Sequence, residues 1–249
     1  MGGIKEKINK WVIIKDGIVQ EPAADTYEAD PFPFRDCLFF ELYDYDKGVI
    51  ACRRNGKTVV VLERPYHLSF PCVFEDDGEV YMLPETVNNR QLELYKAKNF
   101  PYNWELVKVI KQGWFDDPIM HKTNEGFYIY TTEGENNLRV LHSTELLGEW
   151  QQVYSDSSKQ YRSAGNIFKW QGRTIRPVQD CERQYGKGLI FYELEGFNHK
   201  ELTRFYLPEP FTGCHTYNNG IIDGRLPYDQ KMDSFKHNSN LRQIAYFTA

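Results

Sequence analysis

The sequence predicts an all-β protein, a five-bladed β-propeller whose ring is closed by N- and C-terminal strands in one blade. Three observations support this fold class. The 249-residue chain is rich in Tyr and Phe, with 17 and 16 residues, and aromatic residues favour strands. Strand–turn–strand units recur with a period in the 40s, which is typical of propeller blades. No linker or low-complexity tract divides the chain, so a single domain over 1–249 is expected.

Four units begin with the same pattern of strand, tight turn and strand. Gly78, Gly126 and Gly172 lie at or near the turns, where glycine adopts a positive φ at little cost. The second half of a unit is a strand, a polar loop and a Trp-containing strand, as around Trp104 and Trp150. The predicted blades span about residues 30–64, 67–110, 113–155 and 162–207, and the fifth combines 213–226 with 10–20.

A blade shared between the two chain ends removes the open sheet edge that would otherwise invite aggregation. A twisted β-sandwich is the alternative, although sandwiches do not usually carry so long a period. The segment 227–249 matches no repeat unit. The sequence leaves open whether this tail packs on the ring or docks a partner.

Composition narrows the classes of partner. The formal net charge of -5 provides no broad basic field, so no nucleic acid is expected as a partner. Five cysteines without a C-x-x-C pair predict reduced thiols rather than a disulfide framework or a structural zinc site. No run approaches the roughly 18 apolar residues of a membrane span. We therefore expect a soluble, cytoplasmic protein with no membrane span, metal or cofactor.

The propeller fold predicts where polar side chains gather. Innermost strands of all blades run in the same direction, so their first residues converge at one mouth of the ring, and the antiparallel second strands end there too. First-strand positions at this mouth are Asp30, His67, Ser69, Asp116, Asp117, Arg162, Ser163 to Asn166, His215 and Asn218. Second-strand positions are Glu41, Glu85, Glu133, Arg176, Gln179 and Asp180.

This set is rich in carboxylates, Arg, His and Asn, which suits acid, base and pKa-tuning roles. It also suits a polyhydroxylated ligand, and Trp114, just before the Asp pair, is a candidate stacking platform. For a single acid before a proline, a role as a turn or cap residue is the alternative. Polar residues at the strand starts of all five blades favour a binding site.

Two guanidiniums are predicted at the mouth, from Arg162 and Arg176. Guanidiniums bind carboxylate and phosphate groups bidentately, so the ligand would be an acidic sugar, a sugar phosphate or a nucleotide-sugar. An internal ion pair of Arg176 with Asp180 is the alternative.

Short motifs resemble the five-bladed propeller glycosidases of the arabinanase, xylosidase and fructosidase group: "ADP" at 29–31, "DDP" at 116–118 and "STELLGEW" at 143–150. The resemblance implies that Asp30 is the base or nucleophile and that Asp117 tunes its pKa and binds substrate. The acid is not placed, because Glu85 in "LPET" and Glu41 in "FFEL" both stand outside the usual acid motif of these hydrolases.

A longer resemblance covers nearly the whole chain. The segments "HLSFPCVFEDDGEVYMLPE", "RSAGNIF", "IRPVQDCERQYG" and "HTYN" are similar to the N-terminal propeller of plant glucosamine inositolphosphorylceramide transferases and its bacterial relatives. This similarity implies a role in polysaccharide or glycolipid biosynthesis. In the plant enzymes the transferase chemistry is assigned to a separate domain.

We therefore expect a propeller that acts in glycosyl transfer in polysaccharide or glycolipid biosynthesis, as a glycosyltransferase or a glycoside hydrolase-like enzyme, on a sugar, nucleotide-sugar or glycan substrate. Asp30 would be the base, Asp117 would tune and orient, and Glu85 would be the acid or a sugar-hydroxyl ligand. The expected substrate-binding residues are His67, Ser69, Trp114, Arg162, Asn166, Arg176, Gln179, Asp180, His215 and Asn218. One alternative is a non-catalytic glycan-binding propeller that presents substrate to a partner enzyme of glycan assembly. Another is a protein-interaction propeller.

Overall fold

The computed structural model describes residues 9–23, 25–134, 137–159 and 161–230. These residues form five four-stranded sheets with antiparallel pairing between neighbouring strands. The predicted all-β, five-bladed propeller is confirmed. In the part of the chain that is described, no helix is long and apolar enough to cross a membrane.

The chain enters the ring in blade 5 and then builds blades 1 and 2 in order. In blades 1 and 2 the strands are hydrogen-bonded in chain order from the innermost strand outward. The strands are β1 (Asn9–Lys15) and β2 (Ile18–Gln20), then β3 (Tyr27–Phe34), β4 (Cys37–Tyr43), β5 (Gly48–Arg54) and β6 (Lys57–Leu62), then β7 (Ser69–Asp76), β8 (Glu79–Glu85), β9 (Gln91–Asn99) and β10 (Asn103–Gln112). A single 3₁₀ turn, Val87–Asn89, lies between β8 and β9.

Blades 3 and 4 repeat this order, and the chain then returns to blade 5. The remaining strands are β11 (Asp116–Thr123), β12 (Gly126–Glu133), β13 (Asn137–Ser143) and β14 (Gln151–Asp156), then β15 (Phe168–Trp170), β16 (Arg173–Asp180), β17 (Gly188–Glu195) and β18 (Asn198–Phe205), then β19 (Tyr217–Asn218) and β20 (Ile221–Pro227).

Blade 5 joins the two ends of the chain. Strand β1 pairs with β20 from Asn9 opposite Pro227 to Lys15 opposite Ile221, so strands from the two ends of the chain lie side by side in the middle of this sheet. Closure of the ring in this way confirms the predicted shared blade. The tail predicted over 227–249 lies outside the described residues from position 231 onward.

Apolar side chains fill the spaces between blades, because each blade covers a face of the next. The largest cluster joins blades 1, 2 and 3, and within it Phe32 meets Phe70 edge-on with ring centroids 5.0 Å apart. Further clusters lie between blades 3 and 4 and between blades 4 and 5. Outer strands are more exposed, as the pattern of β10 shows.

The innermost strands of blades 1, 2 and 3 carry a β-bulge at the residue before a proline. At this residue φ is positive, at 52° in Asp30, 49° in Phe70 and 43° in Asp117. Such bulges bend a strand and release backbone groups from the ladder. Phe70 is therefore the blade 2 counterpart of the two aspartates. Ser69, expected at that place, aligns instead with Asp116.

Candidate functional site

Carboxylates from one blade accept the N–H groups that the bulges release in the next. The Asp30 N–H lies 3.2 Å from Asp223 Oδ2, and the Phe70 N–H lies 3.1 Å from Asp30 Oδ2. In the same way, the Asp117 N–H donates to Glu85 Oε2 at 2.8 Å. These four acids are buried. They therefore link the blades structurally and at the same time bring carboxylates together at one mouth of the ring, which we call the funnel.

One group of funnel residues, the Arg162 cluster, contains Arg162, Gln179, Asp116, Asp117 and Glu85. Arg162 Nε lies 2.5 Å from Asp117 Oδ2 and its Nη2 lies 3.5 Å from Glu85 Oε2. Its Nη1 lies 3.9 Å from Asp116 Oδ1. Gln179 Nε2 donates to the same Asp117 oxygen at 2.6 Å. A single guanidinium therefore faces three carboxylates from blades 2 and 3.

The second group, the His215 cluster, contains His215, Thr216, Asp30 and Asp223. His215 Nδ1 lies 2.7 Å from Asp223 Oδ2 and 3.4 Å from Asp30 Oδ1. The Thr216 hydroxyl donates to Asp30 Oδ1 at 2.6 Å. The imidazole also packs on the Trp11 ring, with centroids 3.9 Å apart. Asp30 is thus held by a hydroxyl, a backbone N–H and a neighbouring imidazole.

Asp30, His215 and Asp223 are the described residues whose grouping could hold a metal ion, since their ligand atoms lie within 4.8 Å of one another. In the structure the short contact from Nδ1 to Asp223 places a proton between imidazole and carboxylate. A cation bound there would have to displace that proton. The contacts are those of an internal ion-pair network, and the expected lack of a metal stays a prediction.

His67 and Glu41 form a third polar contact in blade 1. His67 Nδ1 accepts the Gly48 N–H at 2.9 Å, and Nε2 lies 3.1 Å from Glu41 Oε1. Because a backbone N–H can only donate, Nδ1 must be unprotonated and Nε2 must carry the proton. The Nε2–H of His67 therefore lies close to the buried Glu41 carboxylate.

Burial is the main cause of the raised pKa values of Asp30, Asp117 and Asp116. Desolvation raises the pKa of Asp30 to about 7, even though His215 partly lowers it. Desolvation likewise raises the pKa of Asp117 to about 7 against the lowering effect of Arg162, and that of Asp116 to about 6. Carboxyl groups with a pKa near 7 exchange protons readily at neutral pH, as general acids and bases must.

His215 should make the protein less stable as the pH rises. Burial lowers its pKa, but the carboxylates of Asp223 and Asp30 outweigh burial and raise the pKa to about 9. Its stabilising contribution is fully present below the unfolded pKa of about 6.5 and is lost as the pH rises toward 9. Asp30 and Asp117, with raised pKa values, change stability in the same direction. We expect the free energy of unfolding to fall by roughly 2 kcal/mol between pH 6.5 and 8.5.

Denaturant unfolding at both pH values tests this expectation, together with NMR titration of the histidine Cε1–H signals. His199 is the internal control: burial lowers its pKa to about 3, so its signal should stay constant over this range. Constant or rising stability from pH 6.5 to 8.5 would show that His215 is not an imidazolium.

Arg176 corrects the prediction of a second guanidinium at the mouth. It is fully buried between blades 3 and 4, where it donates to the Tyr161 carbonyl at 2.7 Å, to Ser163 Oγ at 3.1 Å and to His199 Nε2 at 3.1 Å. Side chains alternate along a strand, so Arg176 and Gln179 leave β16 on opposite faces. Only Gln179 reaches the Arg162 cluster.

Asp180 and Trp114 also lie apart from the two clusters. Asp180 accepts the Tyr206 hydroxyl at 2.6 Å and pairs with Arg204 at 3.3 Å, so the alternative pair with Arg176 is not formed either. Trp114 is half exposed and stacks with the Arg90 guanidinium 4.4 Å from its ring centroid. The structure thus provides no contact between these two side chains and the funnel acids among the described residues.

In blade 3 the second-strand residue at the mouth is one position earlier than predicted. Thr132, opposite Asp116, occupies the register position of Glu41 and Glu85, whereas Glu133 points away and pairs with Arg139 at 2.9 Å.

Asn166 and Asn218 join blades around the channel. The Asn166 N–H donates to Asn218 Oδ1 at 2.7 Å, and Asn218 Nδ2 donates to the Pro31 carbonyl at 2.9 Å. Their predicted contact with substrate stays a prediction.

Asp223 and Tyr185 are among the funnel residues that the sequence pattern did not indicate. Asp223 stands on β20, the second strand of blade 5, where an aspartate at a second-strand position was a signal available in the repeat. Tyr185 lies in the loop between β16 and β17. It carried no signal in the sequence, because loop residues have no periodic partner in the other units.

Sequence comparison identifies a family. Residues 42–221 match the family described as "Glucosamine inositolphosphorylceramide transferase 1, N-terminal". Among curated proteins, the glucosamine inositolphosphorylceramide transferase 1 of Arabidopsis thaliana is 34% identical over 208 residues, which are 72% of this chain and 27% of that protein. The Oryza sativa subsp. indica protein is 30% identical over 201 residues. The chain thus spans 27% of the length of these relatives.

Solved structures share the fold. A β-xylosidase/α-arabinofuranosidase from a compost microbial metagenome superposes with a TM-score of 0.55 at 12% identity, over 82% of this chain and 85% of that one. A β-fructofuranosidase from Schwanniomyces occidentalis has a TM-score of 0.54 at 10% identity, over 80% and 49% of the two chains. These similarities support the five-bladed architecture.

Proposed function

Because this chain belongs to the family of the N-terminal domain of glucosamine inositolphosphorylceramide transferase 1, we propose that it takes part in glycosyl transfer in polysaccharide or glycolipid biosynthesis. The sugar binds in the funnel. One observation carries the proposal: two buried carboxyl groups, Asp30 and Asp117, share one mouth and both have their pKa raised to about 7. The name of the relatives suggests a hexosamine as the sugar.

Asp30 is the proposed base. It takes the proton of an acceptor hydroxyl while that oxygen attacks the anomeric carbon of the donor sugar. Its contacts in the His215 cluster suit this role, because His215 and Thr216 orient the carboxyl group and the imidazolium stabilises the ionised form before the proton moves.

Asp117 and Glu85 are proposed to orient the sugar. Asp117 is held by Arg162 and Gln179 through the same oxygen, Oδ2. Glu85 accepts hydrogen bonds from the Asp117 N–H, from Arg162 and from Ser69 Oγ at 3.3 Å, which suits a carboxylate acceptor better than a proton donor. A nucleotide-sugar donor is consistent with this arrangement, since a phosphate group leaves as a stable anion and needs no acid.

The test is incubation with a panel of nucleotide-sugars, UDP-N-acetylglucosamine among them, and aryl glycosides. We expect turnover by the wild-type protein and at least a hundredfold slower turnover by Asp30→Asn and Asp117→Asn, with little change in the Kd of Asp30→Asn for the sugar. Asn has the same shape as Asp and retains one acceptor oxygen, so both variants can keep their hydrogen bonds to the neighbouring blade. Asp36→Asn, which removes an exposed carboxylate paired with Arg54, is the control and should retain full activity.

A non-catalytic glycan-binding propeller that presents substrate to a partner enzyme is the second candidate. The hydrogen-bonded state of Glu85 favours it, because a residue that only accepts cannot supply a proton to a departing hydroxyl. Sugar binding by all three proteins, wild type, Asp30→Asn and Asp117→Asn, with turnover by none, would support this candidate and exclude the enzyme.

A further inference from the structure

Tyr185 is an aromatic side chain at the funnel that the proposed chemistry leaves unused. It lies in the loop 181–187 that joins β16 to β17, on the face where second strands end. The Arg162 guanidinium carbon is 5.3 Å from its ring centroid. On another side, the His215 ring meets it edge-on, with centroids 5.7 Å apart. Tyr185 therefore contacts both the Arg162 cluster and the His215 cluster.

The ring is nevertheless open to solvent. Tyr185 is 47% exposed, although its two neighbours are among the most polar groups of the funnel. It is unusual for apolar surface to be exposed next to buried carboxylates. Exposed aromatic rings with polar groups around them are typical of sites that bind sugars and other amphipathic ligands. Its neighbours Arg162 and His215 in turn pair with Asp117 and Asp30.

The backbone around Tyr185 is held firmly. Its carbonyl accepts a hydrogen bond from Arg225 Nη1 at 2.8 Å. The next residue, Gly186, has φ +55°, and a Cβ there would lie 3.2 Å from atoms of His215 and Trp11. This close approach fixes the loop against blade 5, so the ring is positioned before any ligand arrives, which lowers the entropic cost of binding.

We propose that Tyr185 is the stacking platform of the funnel and holds the apolar face of a pyranose ring above Asp30 and Asp117. This inference rests on the proposed function and assigns the residue that orients the sugar. Through its contacts with Arg162 and His215, the platform sets the sugar midway between the two clusters. Removal of the ring should therefore weaken binding, whereas removal of the hydroxyl alone should have little effect.

Isothermal titration of the full chain with UDP-N-acetylglucosamine and with 4-nitrophenyl β-D-glucosaminide tests the proposal. We expect Tyr185→Phe and Tyr185→Trp to bind within about threefold of wild type and Tyr185→Leu to bind at least about tenfold more weakly. Leu retains apolar bulk against Arg162 and His215, so the comparison separates stacking from packing. Thermal unfolding of each variant verifies that the fold is intact.

Tyr102→Ala is the matched control, because Tyr102 is 46% exposed and lies at the β9–β10 turn of blade 2; its affinity should equal that of wild type. Unchanged affinity in folded Tyr185→Leu, with binding by wild type, would overturn the platform while leaving the proposed function intact. If wild type binds neither probe, the proposed hexosamine function fails, and the platform fails with it. Weakened binding by Tyr185→Phe equal to that of Tyr185→Leu would assign the effect to the hydroxyl and contradict stacking.

Discussion

Replacement of Arg162 by Met should lower the free energy of unfolding by about 3–5 kcal/mol at pH 8. The Arg162 side chain is 24% exposed and faces Asp117, Glu85 and Asp116, of which Asp117 and Glu85 are nearly inaccessible to water. Without the guanidinium these carboxylates stay buried with no opposing charge. Their attraction to Arg162 otherwise opposes the desolvation that raises the pKa of Asp117.

The pH dependence of this effect has a definite sign. In Arg162→Met the pKa values of Asp117 and Asp116 should rise further, because Arg162 lowers both, so the folded protein takes up protons at mildly acidic pH. Protonation removes the buried negative charge, and the loss of stability should therefore be clearly smaller at pH 5 than at pH 8. Denaturant unfolding of wild type and variant at pH 5 and pH 8 measures the loss of stability at each pH.

Arg139→Met is the matched control for Arg162→Met. Arg139 is 22% exposed, but its partner Glu133 is 42% exposed, and an ion pair of this kind contributes only about 0–1 kcal/mol. We expect a small change that varies little with pH. Equal losses of stability in the two variants, or a loss in Arg162→Met that does not depend on pH, would mean that the charge of Arg162 does not stabilise the buried acids of its cluster.

Replacement of Gly165 by Ala should destabilise the protein by more than about 4 kcal/mol, or abolish folding. Gly165 has φ +125°, a conformation that residues with a Cβ rarely adopt, and an added Cβ would lie 2.0 Å from the Tyr217 carbonyl oxygen. That carbonyl belongs to the backbone of blade 5. Blade 4 meets blade 5 here through the hydrogen bond from the Tyr217 N–H to the Ala164 carbonyl at 2.7 Å, so relief of the clash would break the contact between blades.

Gly172→Ala separates the clash from backbone strain. Gly172 also has a positive φ, +77°, but nothing lies within 4 Å of an added Cβ, so only the cost of the left-handed conformation remains, about 1–2 kcal/mol. Circular dichroism and thermal unfolding of the two variants measure the difference. A Gly165→Ala protein as stable as Gly172→Ala would show that the blades are farther apart than the structure places them.

Both large effects fall in the segment "RSAGN", whose residues the sequence placed at the mouth of the ring without their partners. Arg162 contacts Asp117, which is 45 positions earlier in the chain, and Gly165 packs on Tyr217. Pairs so distant leave no periodic mark in a single sequence. Only the closing of the ring brings them together.

The pattern of residues was enough to predict the number of blades, the shared fifth blade and the convergence of Asp30, Asp117, Glu85, Arg162 and His215 at one mouth. These features follow from the alternation of side chains along each strand and from the length of the repeat. Both can be read directly from the order of residues in the chain.

The direction and the partners of individual side chains follow only from the folded structure. The bulges align Phe70 rather than Ser69 with the two aspartates, and Arg176 turns to the interface between blades. A shift of one residue along a strand exchanges its two faces. A repeat alignment accurate to one or two residues therefore identifies the blade correctly, whereas the direction of each side chain, and with it the chemistry of the funnel, depends on strand register.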